Sequence, residues 1–202
     1  MAQPHATTLL NTVAIRTDFA PAIRVAAVVF LTVLTAAAAQ ISIPLPFTPV
    51  PLTLQPMIVL LGGAALGSRL GFASQVLYLA AGLSGLPVFA TSPVLPQGLL
   101  RVLGPTGGFL MAYPFAAFLA GWLSERGFDR RYVTSVIAMT AGLSLIFACG
   151  VTWLAWFAAP APAGFSNALR LGFYPFVVVD VFKLLVAAAV LPSIWKLTRA
   201  NR

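Results

Sequence analysis

Apolar residues run almost without a break through three stretches of this chain, residues 22–43, 132–158 and 173–195, and through a shorter fourth, 107–123. A helix rising ~1.5 Å per residue needs ~20 apolar residues to cross a bilayer, and each stretch is close to that length. A fifth stretch, 52–81, is longer, is interrupted by Arg69 and carries Gly62, Gly63, Gly67 and Gly71 through its middle. It reads either as one long tilted helix or as two short ones that turn at Ser68–Arg69. Between the stretches lie connections rich in proline and glycine: 43–51, with Pro44, Pro46, Pro49 and Pro51, then 82–106, then 159–172. Such composition favours extended and turn backbone over helix.

The placement of charge chooses between one helix and two. Arg16 precedes the first stretch and Arg24 lies at its very start, while Lys196, Arg199 and Arg202 follow the last. Both ends therefore bear the basic mark of the cytoplasmic side, and the number of crossings is even. Dividing 52–81 gives six crossings and brings Arg69, Arg126, Arg130 and Arg131 to that same side, leaving only Arg101, Arg170 and Lys183 of the twelve basic residues elsewhere. The expected fold is an all-α integral membrane protein, one domain over residues 1–202. A six-transmembrane-helix bundle at 22–197 stands between polar cytoplasmic tails at 1–21 and 198–202. In this orientation the proline-rich connections lie outside. Irregular backbone at a membrane persists only against protein or water, so these outer loops are expected to fold down and cap a ligand cavity.

Composition agrees and narrows the chemistry. The chain is 60% hydrophobic and 8% charged, against roughly 25% charged residues in a soluble domain. Its net charge of +8 follows from basic residues at helix ends, which is a topology signal and not a nucleic-acid surface. Cys149 and His5 are the only residues of their types, so there is no intrachain disulfide, no zinc cluster and no histidine among the helices to activate a nucleophile. The first twenty residues lack the apolar core of a cleavable signal peptide, so the tail is expected to be retained. The nearest thing to a phosphate-binding loop, Gly104-Pro105-Thr106-Gly107-Gly108, has no following lysine, and ATP hydrolysis by this chain is not expected. No enzyme activity and no metal are expected.

Asp180 and Lys183 stand three residues apart inside the last apolar stretch. A charge at membrane depth costs at least ~2.5–3.5 kcal/mol, so each needs a partner, water or a ligand. Residues i and i+3 share a helix face and can bond each other, as a structural ion pair, or grip one ligand together. The segment 104–108 likewise has two readings. It is either a tight turn that starts the fourth stretch, or a helix N-terminus that offers Thr106, Gly107 and Gly108 to a carboxylate, with Arg101 close by. Gln55 follows the first outer loop and can reach an outward pocket or satisfy carbonyls freed by Pro56. Tyr113, like Tyr78 and Trp153, suits a cavity wall or an interfacial belt. The run of small residues Thr35, Ala36, Ala37, Ala38 and Ala39 permits close helix approach, either within the chain or against another protein.

Four segments, in order, resemble the BioY family: Phe47-Thr48-Pro49-Val50-Pro51-Leu52-Thr53-Leu54-Gln55, Gly85-Leu86-Pro87-Val88-Phe89, Gly104-Pro105-Thr106-Gly107-Gly108-Phe109 and Asp180-Val181-Phe182-Lys183. This family is the biotin-specific capture subunit, or S component, of energy-coupling factor (ECF) transporters, and the resemblance runs from about Ala22 through the last helix. It implies high-affinity biotin capture in an outward cavity of a six-helix bundle. It also implies residence in the bacterial cytoplasmic (inner) membrane, multi-pass, with both termini cytoplasmic. The implied partners are a membrane coupling protein (the T component) and two ATPase subunits, which use the ATP; this chain itself binds no cofactor and no nucleic acid. The family's Asp-x-x-Lys motif falls on Asp180 and Lys183 and is associated with ligand contact. The docking face for the coupling protein falls on Thr35, Ala36, Ala38 and Ala39. Arg101 is a candidate for the carboxylate on its chemistry and not on the motif. Two other functions fit the residues: capture of another vitamin, and a structural membrane subunit in which Asp180 and Lys183 only lock helices.

Overall fold

The computed structural model describes residues 8–9, 20–92 and 96–200. Most of the expected N-terminal tail, with His5 and Arg16, and the last two residues lie outside the described residues. The chain is almost wholly helical: α1 (Ala20–Gln40), α2 (Gln55–Leu66), α3 (Ser68–Leu83), α4 (Leu99–Leu103), α5 (Gly107–Ser124), α6 (Tyr132–Trp156), α7 (Phe165–Gly172) and α8 (Tyr174–Ala200). Helices α1, α5, α6 and α8 contain the segments long and apolar enough to cross a membrane. One end of the bundle carries the long connections 41–54, 84–106 and 157–173. The other carries the turn at Gly67 and the connection 125–131, with Arg69, Arg126, Arg130 and Arg131.

The stretch 52–81 is two helices of 12 and 16 residues. The break falls at Gly67, whose φ of 93° and ψ of 172° are open to glycine and strained for other residues. Here α2 ends and α3 begins, and the first N–H of α3 needs an acceptor that the helix cannot supply. Glu125, at the end of α5, provides it: its carboxylate accepts from the Ser68 N–H at 2.7 Å and from the Ser68 hydroxyl at 2.9 Å. Ser124 reinforces the junction by donating to the Ala64 carbonyl at 2.7 Å.

The glycines explain how the hairpin α2–α3 lies so close to α5. A Cβ on Gly63 would stand 2.4 Å from the Ala117 carbonyl oxygen, and one on Gly121 would stand 2.4 Å from the Gly67 carbonyl carbon. Backbone therefore meets backbone at the crossing, and α5 becomes a central post against which α2, α3 and α6 all pack.

The loops at the opposite end hold more structure than extended backbone. Two short strands, β1 (Ser42–Ile43) and β2 (Leu52–Thr53), pair antiparallel with Ser42 opposite Thr53. Helices α4 and α7 each start after a glycine with positive φ, Gly98 and Gly164. Proline density thus marked the first connection correctly as non-helical, while the later two, with fewer prolines per residue, contain helices.

The run of small residues on α1 corrects the expected docking face. Thr35, Ala38 and Ala39 are buried inside the chain, Ala36 is half-buried, and only Ala37 of that run is exposed. Thr35 donates to the Leu31 carbonyl at 2.9 Å and accepts from the Gln75 side chain of α3 at 3.2 Å. These residues are small so that α1 can approach α3. The outward face of α1 is instead made of Val25, Val29, Phe30 and Val33.

If the glycine crossing sets the packing of α2 and α3, then Gly121→Ala will be destabilised by ~1–3 kcal/mol through overpacking. Thermal unfolding in detergent is expected to show a lower midpoint than for Ala37→Gly, a change of similar size at an exposed position.

Candidate functional site

Beneath the loop-bearing end lies a cavity of about 60 Å³. It is enclosed by β2 and the start of α2, residues 89–90, α4, α5, α6 and α8. Its wall is mainly apolar, with Phe89, Phe109, Phe147 and Phe176, and is interrupted by the polar side chains of Thr53, Gln55, Arg101, Thr106, Tyr113 and Asp180. An apolar lining with a few convergent polar groups is the usual character of a small-molecule site.

Asp180 and Lys183 form an ion pair across one turn of α8, with side chains 7% and 11% exposed. The Lys183 ammonium also donates to the Thr53 carbonyl at 2.6 Å, so it bridges α8 to β2. Only Asp180 of the two lines the cavity; Lys183 stands behind it. The pair locks two parts of the fold, and its carboxylate borders the cavity.

Gln55 sits at the N-terminus of α2 and donates to the Tyr78 hydroxyl at 2.7 Å, which in turn donates to the Val88 carbonyl at 3.2 Å. Tyr78 packs edge-on against Phe89, with ring centres 5.6 Å apart. This relay fixes the segment 87–90, whose carbonyls have no helix or sheet to engage them. Other side chains complete the task. Gln40 donates to the Pro87 and Phe89 carbonyls, Gln97 donates to Phe89, and Arg101 donates to Ala90.

Arg101 is the most unusual group in the site. It is 1% exposed, and its bond to Ala90 uses one of three guanidinium nitrogens, while Nε and Nη1 are buried without a hydrogen-bond partner. No carboxylate pairs with it among the described residues. Burial disfavours its charge and lowers its pKa from the ordinary value. A buried cation with unengaged donors is costly unless an anion meets it.

Thr106 lines the cavity and donates to the Arg101 carbonyl at 3.4 Å, and Tyr113 lines it farther along α5. Gly107 and Gly108 are a correction, because they lie outside the lining. The Gly107 N–H is engaged by the Gly104 carbonyl at 3.1 Å, and a Cβ on Gly108 would stand 2.2 Å from that of Trp153. They let α5 approach α6, and the turn reading of 104–108 describes them. Phe89 lines the cavity without having been singled out as a site residue, and Tyr78, a candidate for a cavity wall or an interfacial belt, stands behind it. The sequence signal for Phe89 was its place in the Gly85–Phe89 segment.

The fold and the site define a class: an all-helical membrane protein with a polar-studded cavity under the loops at one end. The chain belongs to the BioY family, whose model matches residues 9–200. It is 42% identical over 166 residues to the probable biotin transporter BioY of Pyrococcus horikoshii, an alignment covering 82% of this chain and 92% of the relative. It is 37% identical over 166 residues to the biotin transporter BioY of Thermotoga maritima, with the same coverage of 82% and 92%. The crystal structure of the S-component for biotin from an ECF-type ABC transporter superposes with a TM-score of 0.78 at 25% identity, covering 89% of this chain and 94% of the other.

The bridge made by Lys183 predicts an asymmetry. Lys183→Ala leaves Asp180 buried and unpaired and is expected to cost ~3–5 kcal/mol of stability, whereas the double change Asp180→Asn, Lys183→Met is expected to cost less than the single one. Thermal unfolding of the three proteins in one detergent checks the order.

Proposed function

We propose that this chain captures biotin at the outer face of the cytoplasmic membrane as the S component of an ECF-type transporter. The observation that carries the reading is the buried, unpaired Arg101 guanidinium on the wall of the cavity that Asp180 also lines. Biotin has two ends that suit such a wall. Its carboxylate meets Arg101, where Nε and Nη1 offer charge-assisted bonds. The ureido ring, with two N–H donors, meets the Asp180 carboxylate, which Lys183 pairs with and orients. Lys183 already serves Asp180 and Thr53, which leaves Arg101 as the cation with free capacity. The apolar sulfur ring and tail lie against the phenylalanine walls, and Gln55, Thr106 and Tyr113 supply the remaining polar contacts.

In this reading the six helices α1, α2, α3, α5, α6 and α8 cross the membrane, with both termini and the arginine-bearing end in the cytoplasm. That end carries Arg24, Arg69, Arg126, Arg130 and Arg131, as the basic bias of cytoplasmic connections requires. A membrane coupling protein and two ATPase subunits provide the energy for release inside, since this sequence holds no nucleotide-binding loop. The coupling protein docks on the outward face of α1, at Val25, Val29, Phe30 and Val33, in place of the inward Thr35, Ala38 and Ala39.

Isothermal titration of the detergent-purified protein tests both function and contact. Wild type is expected to bind biotin and to bind its methyl ester more weakly. Arg101→Gln is expected to weaken biotin by ~10–100-fold, the range for a hydrogen bond to a charged group, and to erase the preference for acid over ester. Absence of biotin binding by wild type overturns the function. An Arg101→Gln protein that still prefers the acid overturns the carboxylate assignment.

A further inference from the structure

At the end of the bundle opposite the cavity, two surface clefts lie side by side. One, of about 410 Å³, is lined by Arg126, Arg130, Arg131 and Thr134 with the backbone of the 126–131 turn; the other, of about 400 Å³, is lined by Arg130, Arg131, Lys196 and the last turns of α8. Arg130 and Arg131 are common to both, and no acidic side chain lines either. The two carboxylates at this end among the described residues are turned inward. Glu125 holds Ser68, and Asp129 is buried and accepts from the Trp195 indole at 2.6 Å. Asp129 acts electrostatically on Arg130 from behind, while no carboxylate lines the clefts beside Arg131 and Lys196. Arg130 is held in place by its guanidinium, 4.9 Å from the centre of the Trp195 ring, and its Nε is buried without a hydrogen-bond partner. Arg131 and Lys196 are exposed.

The surroundings say what kind of anion fits. Beside the clefts, α6 exposes Val133 and Ile137, and α8 exposes Val190, Ile194 and Leu197. Cations at the rim of an apolar, outward-facing helix surface match a molecule with a phosphate at one end and acyl chains at the other. A soluble phosphate would use the arginines and leave the apolar flank without a role. We propose that these paired clefts hold the phosphodiester headgroup of an anionic phospholipid, with Arg130 fixed between them and Arg131 and Lys196 closing on it from α6 and α8. Because Arg130 and Arg131 serve both clefts, a lipid with two phosphates, such as cardiolipin, can engage the two together.

The full-length protein in phosphatidylcholine nanodiscs, titrated with cardiolipin or phosphatidylglycerol and read by native mass spectrometry, tests this. Wild type is expected to retain cardiolipin more strongly than phosphatidylglycerol. The pair Arg131→Gln, Lys196→Gln is expected to lose roughly 30-fold in cardiolipin affinity, the effect of two charges at a membrane surface. The control pair Arg24→Gln, Arg69→Gln removes the same charge from the same end outside the clefts, and is expected to change affinity less than threefold. Equal losses in both pairs would mean a diffuse basic surface and overturn the site. Full displacement of the lipid by millimolar inorganic phosphate would overturn the lipid assignment in favour of a soluble anion. Unchanged thermal unfolding of the cleft variant shows that any loss is not a folding defect.

Discussion

An ammonium group cannot be left alone among apolar helices, and the way Lys183 is satisfied organises the upper part of this molecule. It reaches the Asp180 carboxylate on its own helix and the Thr53 carbonyl on β2. The second of these contacts ties the last helix to the strand that immediately precedes α2. With β2 held, Gln55 is placed at the start of α2, and through Tyr78 it reaches the loop that carries Phe89. The cavity wall is thus assembled by a chain of polar contacts that begins at one lysine. Hydrophobic burial brings the helices together, but it does not by itself fix which side chains face the space between their ends.

The lower part rests on a different device. Where α2 and α3 cross α5, the absence of side chains at Gly63 and Gly121 lets backbone lie on backbone, and Glu125 then caps the helix that restarts after the turn. The two halves divide the labour. The glycine crossing needs no polar side chain within the apolar layer, so the costly charges Asp180, Lys183 and Arg101 are gathered at the other end, where each either binds backbone or faces the cavity. The groups most costly to bury are thereby concentrated around the cavity.

Much of this was written in the pattern of the chain. The long helices follow from apolar length, and the division of 52–81 from charge parity together with glycine at the break; the structure puts that break at Gly67, one residue from the expected turn. The pairing of Asp180 with Lys183 follows from their spacing. What spacing does not carry is direction. Thr35, Ala38 and Ala39 are as small toward the interior as toward a partner, and only the position of Gln75 on another helix decides which. Gly107 and Gly108 sit beside a cavity in sequence but lean on Trp153 in space. Arg101 drew attention by its nearness to the glycine segment. Its burial depends on the Ala90 carbonyl, which is supplied by a loop whose course no local pattern encodes. Phe89 joined the site for the same reason, because its place depends on where a connection without regular structure comes to rest.

The segment 87–90 is attached to the bundle by side chains from Gln40, Tyr78, Gln97 and Arg101, not by a backbone ladder. A strand or helix over the cavity would peel away cooperatively, losing its order as one unit. Separate clasps are independent of one another, and the loss of one leaves the others and the helices beneath in place. One of those clasps is Arg101 itself: a single guanidinium fastens the roof through Nη2 while its Nε and Nη1 stay unengaged, so the roof and the cavity wall share one side chain.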